Sequence, residues 1–209
     1  MPKSKSVFPW FGGKSTHAKN IVPLLRENEC YVEVFGGGAG VLWNKPEQYH
    51  EIYNDLDGDL VHFFETLRTR GDELRAVAPS FGRELHNEWS EAFYEEDYRP
   101  DDEIERAVRF FYLRFSTWGG VHGPNGFRTG RHRSSAEGYL NAVEELPWFR
   151  DRLSGVVIEN KDYVDLIDTY DGPETLFYLD PPYFELDYYQ EGTGFDHRAL
   201  YEVLTDVEG

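Results

Sequence analysis

The residues best suited to chemistry are Asp180-Pro181-Pro182-Tyr183, which follow directly on the apolar run TLFYLD, 175–180. Proline ends a strand because it cannot donate to the ladder. That accounts for the two prolines, but not for the carboxylate on one side of them and the aromatic ring on the other. Two prolines stiffen the backbone. They can hold the Asp180 carboxylate and a nearby carbonyl as fixed acceptors, with Tyr183 as a flat face beside them. This constellation suits an exocyclic amino group on a planar ring: the acceptors take its N–H bonds and the aromatic stacks on the ring.

Two further strand ends carry residues of the same kind. CYVEVF, 30–35, runs into Gly36-Gly37-Gly38-Ala39-Gly40, where missing side chains allow a tight turn and close approach of a ligand. HEIYN, 50–54, ends in Asn54-Asp55, an acid about 20 residues on, the place of a ribose-binding carboxylate in nucleoside-binding sheets. Each signal alone is weak. In this order they suggest an adenosine-containing cofactor.

A fourth stretch, FPWFGGKST, 8–16, looks like the end of a triphosphate-binding P-loop. That motif needs a first glycine five residues before Gly13, so that backbone amides can wrap the phosphates. Position 8 is Phe8, and no apolar strand precedes it. The triphosphate reading therefore fails, and Trp10, Gly13 and Lys14 must serve something else.

The elements that must position these residues alternate. Strands are expected at 30–35, 50–54, 155–160 and 175–180, and helices at 15–28, from Val41, at 59–68, after Asp162 and at 195–204, the last capped by Asp196. Alternation of this kind predicts an α/β fold, doubly wound, with a mostly parallel sheet. Residues 70–150 break the pattern. Their apolar positions have helical spacing, as at Ile104, Val108, Phe111 and Phe115 in 104–115, with Arg106, Arg109 and Arg114 elsewhere around that helix. A Gly-rich loop, 116–135, follows with Arg128, Arg131, His132 and Arg133. This section reads as a mainly helical insertion between a core half at 1–69 and another at 151–209.

Composition narrows the function. The chain has 209 residues, a net charge of −18 and one cysteine, Cys30. A single cysteine excludes an internal disulfide framework and fits a reducing, cytoplasmic setting. The seven histidines lack ligand spacing, so no metal is expected. No apolar run reaches membrane-spanning length. Abundant acid with only 6 Lys beside 15 Arg is the balance of a protein adapted to high salt. The acid is unevenly spread, however. Residues 1–26 and 106–136 hold none, yet carry 5 and 6 Lys/Arg. An acidic chain that keeps two tracts free of acid shows them to a negative partner, and nucleic acid leads.

Taken together, FPWFGGK, YVEVFGGGAG, YNDLD, FFYLRFSTWGG and YLDPPYF resemble the Dam-like, class-alpha family of DNA N6-adenine methyltransferases, in that family's motif order and over nearly the whole chain. The resemblance implies a Rossmann-like methyltransferase sheet and S-adenosylmethionine as cofactor. Trp10, Gly13 and Lys14 would belong to a segment over the cofactor site, with Lys14 meeting its carboxylate. Phe35 and Gly37 would line the cofactor loop, Asp55 would hold the ribose hydroxyls, and Asp162 with Tyr163 would contact the cofactor's adenine. Asp180, Pro181, Pro182 and Tyr183 would receive an adenine flipped out of double-stranded DNA. Arg114, Arg128, Arg131 and Arg133 are the DNA-contact candidates. A companion restriction enzyme, viral or prophage protection and housekeeping methylation all fit these residues, as do two rival readings: an amino-methyltransferase of RNA or protein glutamine, and a non-catalytic DNA-binding relative. The resemblance also implies a further strand and hairpin after Gly209, so the chain by itself is expected to be poorly active.

Overall fold

A computed structural model describes residues 4–118, 126–128, 135–183 and 195–209. By their contacts these divide into two units. Lys14–Val61 and Gly155–Gly209 form a sheet unit; Ser6–Gly13 and His62–Ser154 form a helical unit. The helical unit is thus wider than residues 70–150.

The sheet unit carries four strands, β1 (Cys30–Glu33), β2 (His50–Asn54), β3 (Val156–Glu159) and β4 (Thr175–Tyr178). All pairings are parallel and the order is β3-β2-β1-β4. The register sets Val32 opposite both Ile52 and Phe177. Alternation sorts β1 into two faces. On one, Val32 and Val34 pack with Ile52 and with Leu166 of helix α6 (Tyr163–Tyr170). On the other lie Tyr31 and Glu33, both buried. There Lys45 hydrogen-bonds the buried Glu51 and lies over the Tyr31 ring. Helix α7 (His197–Leu204) is capped by Asp196, which accepts from the amides of Arg198 and Ala199 at 2.9 and 3.0 Å.

Two expected helices are not formed as such. The region 15–28 holds only a four-residue α1 (Ala18–Ile21) and a 3₁₀ turn, Val22–Leu24, because Pro23 lacks the N–H a longer helix needs. From Val41 the chain makes tight turns instead of a helix. Side chains satisfy the carbonyls there, Trp43 Nε1 donating to Gly38 at 2.7 Å and Asn44 Nδ2 to Gly40 at 2.9 Å. Pro46 bars continuation.

Helix α2 (Gly58–Ala76) starts in the sheet unit, where Asp57 caps the amides of Asp59 and Leu60, and departs from helical geometry at Arg70. The helical unit adds α3 (Arg83–Tyr94), α4 (Glu103–Ser116) and α5 (Ser135–Leu153). Asp102 caps α4 through the Glu105 amide at 2.8 Å. The core is aromatic: Phe63 stacks on Phe111, and Phe8 lies 5.4 to 5.9 Å from Phe63, Phe64 and Phe110. This packing places the segment around Phe8 in the helical unit.

Helix α4 corrects one expectation. Ile104, Val108, Phe111 and Phe115 are buried as their spacing predicts, but so are Phe110, Tyr112, Leu113 and Arg114. The helix is covered almost all round. Arg114 is fully enclosed, hydrogen-bonded to the Tyr94 hydroxyl, with its guanidinium 5.1 Å from the Phe110 ring and 5.8 Å from Trp10. It is a packing residue, not a surface contact for DNA. Arg114→Ala is expected to lower unfolding stability by about 2 kcal/mol, through lost packing and a disrupted buried network. Chemical denaturation checks this, and an unchanged midpoint would contradict it.

Candidate active site

The order β3-β2-β1-β4 reverses direction between β1 and β4, so the crevice beyond their carboxyl ends is where an open α/β sheet places its ligand. The chemistry-bearing residues of the sheet unit collect there. The loop after β1 is fastened to β2. Gly36 N–H donates to the Asn54 carbonyl at 2.8 Å, and the Tyr53 hydroxyl donates to the Gly37 carbonyl at 2.7 Å. A Cβ at Gly36 would lie 2.2 Å from the Tyr53 ring, so this position admits only glycine. Gly37 takes φ 49° and Ala39 φ 53°, the left-handed conformation that glycine adopts at least cost. Ala39 adopts it although it carries a Cβ.

Asp55 secures the loop from the end of β2. Its Oδ2 accepts from Gly37 N–H at 2.7 Å and its Oδ1 from Asp57 N–H at 2.9 Å. Burial pushes its carboxyl up to about 6, against those two hydrogen bonds. Asn160, after β3, donates to the Asp55 carbonyl at 2.7 Å. Asp162 caps α6 through the Val164 amide at 2.9 Å. Next to it, Tyr163 forms a half-buried group of three rings with Phe35 and Phe195, their centres 5.4 to 5.7 Å apart.

Beyond β4, Asp180 meets two partners. Lys14 Nζ hydrogen-bonds its Oδ2, and the Tyr183 hydroxyl donates to its Oδ1 at 3.3 Å. The Lys14 ammonium also stands 5.0 Å from the centre of the half-exposed Tyr183 ring. Burial works against the charge on Lys14, but its hydrogen bonds to Asp180 and Tyr183 outweigh this and hold its pKa above the usual lysine value. Lys14 reaches this place because its backbone crosses Gly40, where an added Cβ would lie 2.9 Å from Lys14 N and 2.6 Å from Ser15 N. Lys14 and Ser15 are therefore seated on the glycine loop.

Of the expected site residues, Lys14, Phe35, Gly37, Asp55, Asp162, Tyr163, Asp180 and Tyr183 belong to the sheet unit, with Pro181 and Pro182 in the chain between the last two. Trp10 and Gly13 belong to the helical unit. There Gly13 N–H donates to the Trp10 carbonyl at 3.1 Å, and Trp10 packs against Phe8. Arg131 and Arg133 lie outside the described residues. Arg128 is partly exposed, and its N–H donates to the Ser116 carbonyl at 2.6 Å. Thr117 bridges Phe127, and Trp118 N–H donates to the Gly126 carbonyl at 3.1 Å, so residues 116–118 pair with 126–128 within the basic loop.

Three residues escaped the sequence reading. Phe195 joins the ring cluster; its only signal was an aromatic just before the Asp196 cap. Trp118 is 69% exposed and follows Thr117, which bridges Phe127. Glu33 is an acid inside an apolar strand, which was a readable anomaly. Its Oε2 accepts from the Tyr31 hydroxyl at 3.0 Å and from Leu42 N–H at 2.9 Å, and burial pushes its carboxyl up to about 7. It anchors the exit of the glycine loop.

A glycine loop, a carboxylate after each of β2 and β4 and a ring cluster thus gather in the sheet unit. Residues 10–204 match the D12 class N6 adenine-specific DNA methyltransferases, and the chain belongs to that family. It is 24% identical over 186 residues to the type II methyltransferase M.CviBI of Paramecium bursaria Chlorella virus NC1A, covering 86% of this chain and 69% of that protein. With the type II methyltransferase M.MjaIII of Methanocaldococcus jannaschii it shares 27% identity over 210 residues, 88% of this chain and 70% of that one. The DNA N-6-adenine-methyltransferase of Escherichia phage P1 is 24% identical over 97% of this chain, which spans 28% of the phage protein. The family's reaction is methylation of adenine N6 in DNA. Among the described residues no helix is long and apolar enough to cross a membrane.

Proposed function

We propose that the chain methylates N6 of an adenine turned out of duplex DNA, with S-adenosylmethionine as donor and Asp180 as the acceptor that orients the amine. The observation that carries this is the position of Asp180: directly beyond β4, at the switch point of the sheet, beside an exposed tyrosine ring and a lysine seated on the glycine loop. The residues present fit the donor. Gly36 and Gly40 keep the loop bare of side chains, Asp55 offers oxygens to a ribose, and Phe35, Tyr163 and Phe195 offer flat apolar faces to an adenine. When bound, the donor supplies an electrophilic methyl group on a sulfonium. The chain's own work is alignment. Asp180 takes the N–H bonds of the target amine and directs its lone pair, Tyr183 stacks on the base, and no covalent enzyme intermediate is required. An adenine inside the stack cannot be reached this way, so the base must leave it.

Target contact is assigned to the helical unit, through Trp118 and Arg128 and the acid-free tract around them, with Arg131 and Arg133 in the same loop. The decisive experiment is transfer of labelled methyl groups to unmethylated duplex DNA, at low and at molar salt, followed by nucleoside analysis. Label in N6-methyladenine is the expected result, with more at molar salt if the acidic surface reflects adaptation to it. Label confined to RNA or to another base would sink the assignment.

The ring cluster gives a separate prediction. Phe195→Ala is expected to weaken donor binding by roughly tenfold, in line with the loss of one aromatic face. Equilibrium dialysis with labelled S-adenosylmethionine reads this directly. Wild-type affinity in the variant would remove Phe195 from the site.

A further inference from the structure

We propose that Lys14 is a positioning residue for methyl transfer, fixing the Asp180 carboxylate as acceptor for the target amine instead of binding the carboxylate of the methyl donor. This rests on the role given to Asp180 above.

The contacts of Asp180 define its orientation. Lys14 Nζ holds Oδ2, the Tyr183 hydroxyl reaches Oδ1, and a carboxylate gripped at both oxygens has one plane available to it. A long exposed lysine could not do this, because ordering its stem costs about as much as a surface ion pair returns. Lys14 is different on two counts. Its backbone is pinned across Gly40, and its carbonyl accepts from His17 N–H at 2.9 Å. Its side chain and that of Asp180 are only 19% and 22% exposed, so the pair is shielded from most of the solvent. The ammonium is thus held by its own segment at one end and by Asp180 at the other.

The chemistry needs such a fixture. In the transfer, the N6–C bond forms as the C–S bond breaks, and sulfur keeps the bonding pair. N6 becomes cationic and then sheds one proton to Asp180 or to water. The reaction requires the N6 lone pair to lie along the methyl–sulfur axis throughout, and small errors in that alignment are costly. An Asp180 free to rotate would present its oxygens in several directions. The ammonium removes that freedom and holds the carboxylate oxygens toward the positive charge growing on N6. The two residues stand 166 positions apart in the chain and meet only through the fold.

The test uses Lys14→Gln and Lys14→Arg in the full chain, with two readouts: the dissociation constant for labelled S-adenosylmethionine, and the single-turnover rate at saturating donor and DNA. Expected for Lys14→Gln is a rate lowered by roughly ten- to a hundredfold with donor affinity within about threefold of wild type, since only the transition-state alignment is lost. Lys14→Arg, which retains a cation able to pair with a carboxylate, is expected to recover most of the rate. Two results would overturn the proposal: an unchanged rate, or donor affinity weakened tenfold or more with a normal rate at saturation. The second would make Lys14 a partner of the donor's carboxylate. If wild-type protein itself puts no label in N6-methyladenine, the failure belongs to the functional reading and not to Lys14.

Discussion

Asp180→Ala is expected to lower methyl transfer by on the order of a hundred- to a thousandfold, the loss seen when a preorganised group at a reacting centre is removed. Alanine leaves the loop, the ring cluster and the helical unit intact, so affinity for S-adenosylmethionine and for DNA should stay near wild type. Stability should also hold. Asp180 is at the mouth of the sheet, and a partly exposed ion pair of this kind contributes at most about 1 kcal/mol. Asp180→Asn keeps one acceptor but not the charge, and should fall between the two. Single-turnover rates with labelled donor separate binding from chemistry. An alanine variant that methylates DNA as fast as wild type would end the case for Asp180 as the acceptor.

The second large effect is on stability and comes from Glu33. Burial raises its carboxyl from 4.5 to about 7 in the folded protein. Below pH 4.5 the carboxyl is protonated in both folded and unfolded chains and adds no penalty. As pH rises from 4.5 to about 7 the unfolded chain ionises first, so the folded state loses ground, and above 7 the full penalty is present. The gap is about 7 − 4.5, or some 2.5 pH units, which at ~1.4 kcal/mol per unit amounts to roughly 3 kcal/mol. Asp55 acts in the same direction between 3.8 and about 6. Glu33→Gln cannot ionise, yet retains an amide oxygen able to accept from both Leu42 N–H and the Tyr31 hydroxyl. Relative to wild type it is expected to gain roughly 3 kcal/mol between pH 4 and pH 8. Urea unfolding of both proteins at the two pH values measures this, and taking the difference cancels the groups they share. Parallel pH dependence would show that Glu33 is not the group responsible.

Much of this protein was determined by short-range information. Each core strand is an apolar run stopped by Gly36, Asn54-Asp55, Asn160 or Pro181, and such runs name their own ends. The aspartate cap at 196 read directly, because a cap interacts only with its own first turn. The Asp-Pro-Pro-Tyr stretch suggested an acceptor for a planar amine before any geometry was known. Tertiary structure decided what depends on distant partners. Spacing located the apolar face of α4 but said nothing of what covers its other faces, so Arg114 read as a surface group when Phe110, Tyr94 and Trp10 enclose it. Pro23 outweighed the apolar pattern around Ile21 and Leu24. The acid at Glu33 stood out within an apolar run, but its burial and its partners Tyr31 and Leu42 came only with the fold. The meeting of Lys14 with Asp180 belongs to neither segment alone, since it requires a parallel sheet that brings the end of β4 beside β1 and a glycine bare enough for another backbone to cross it.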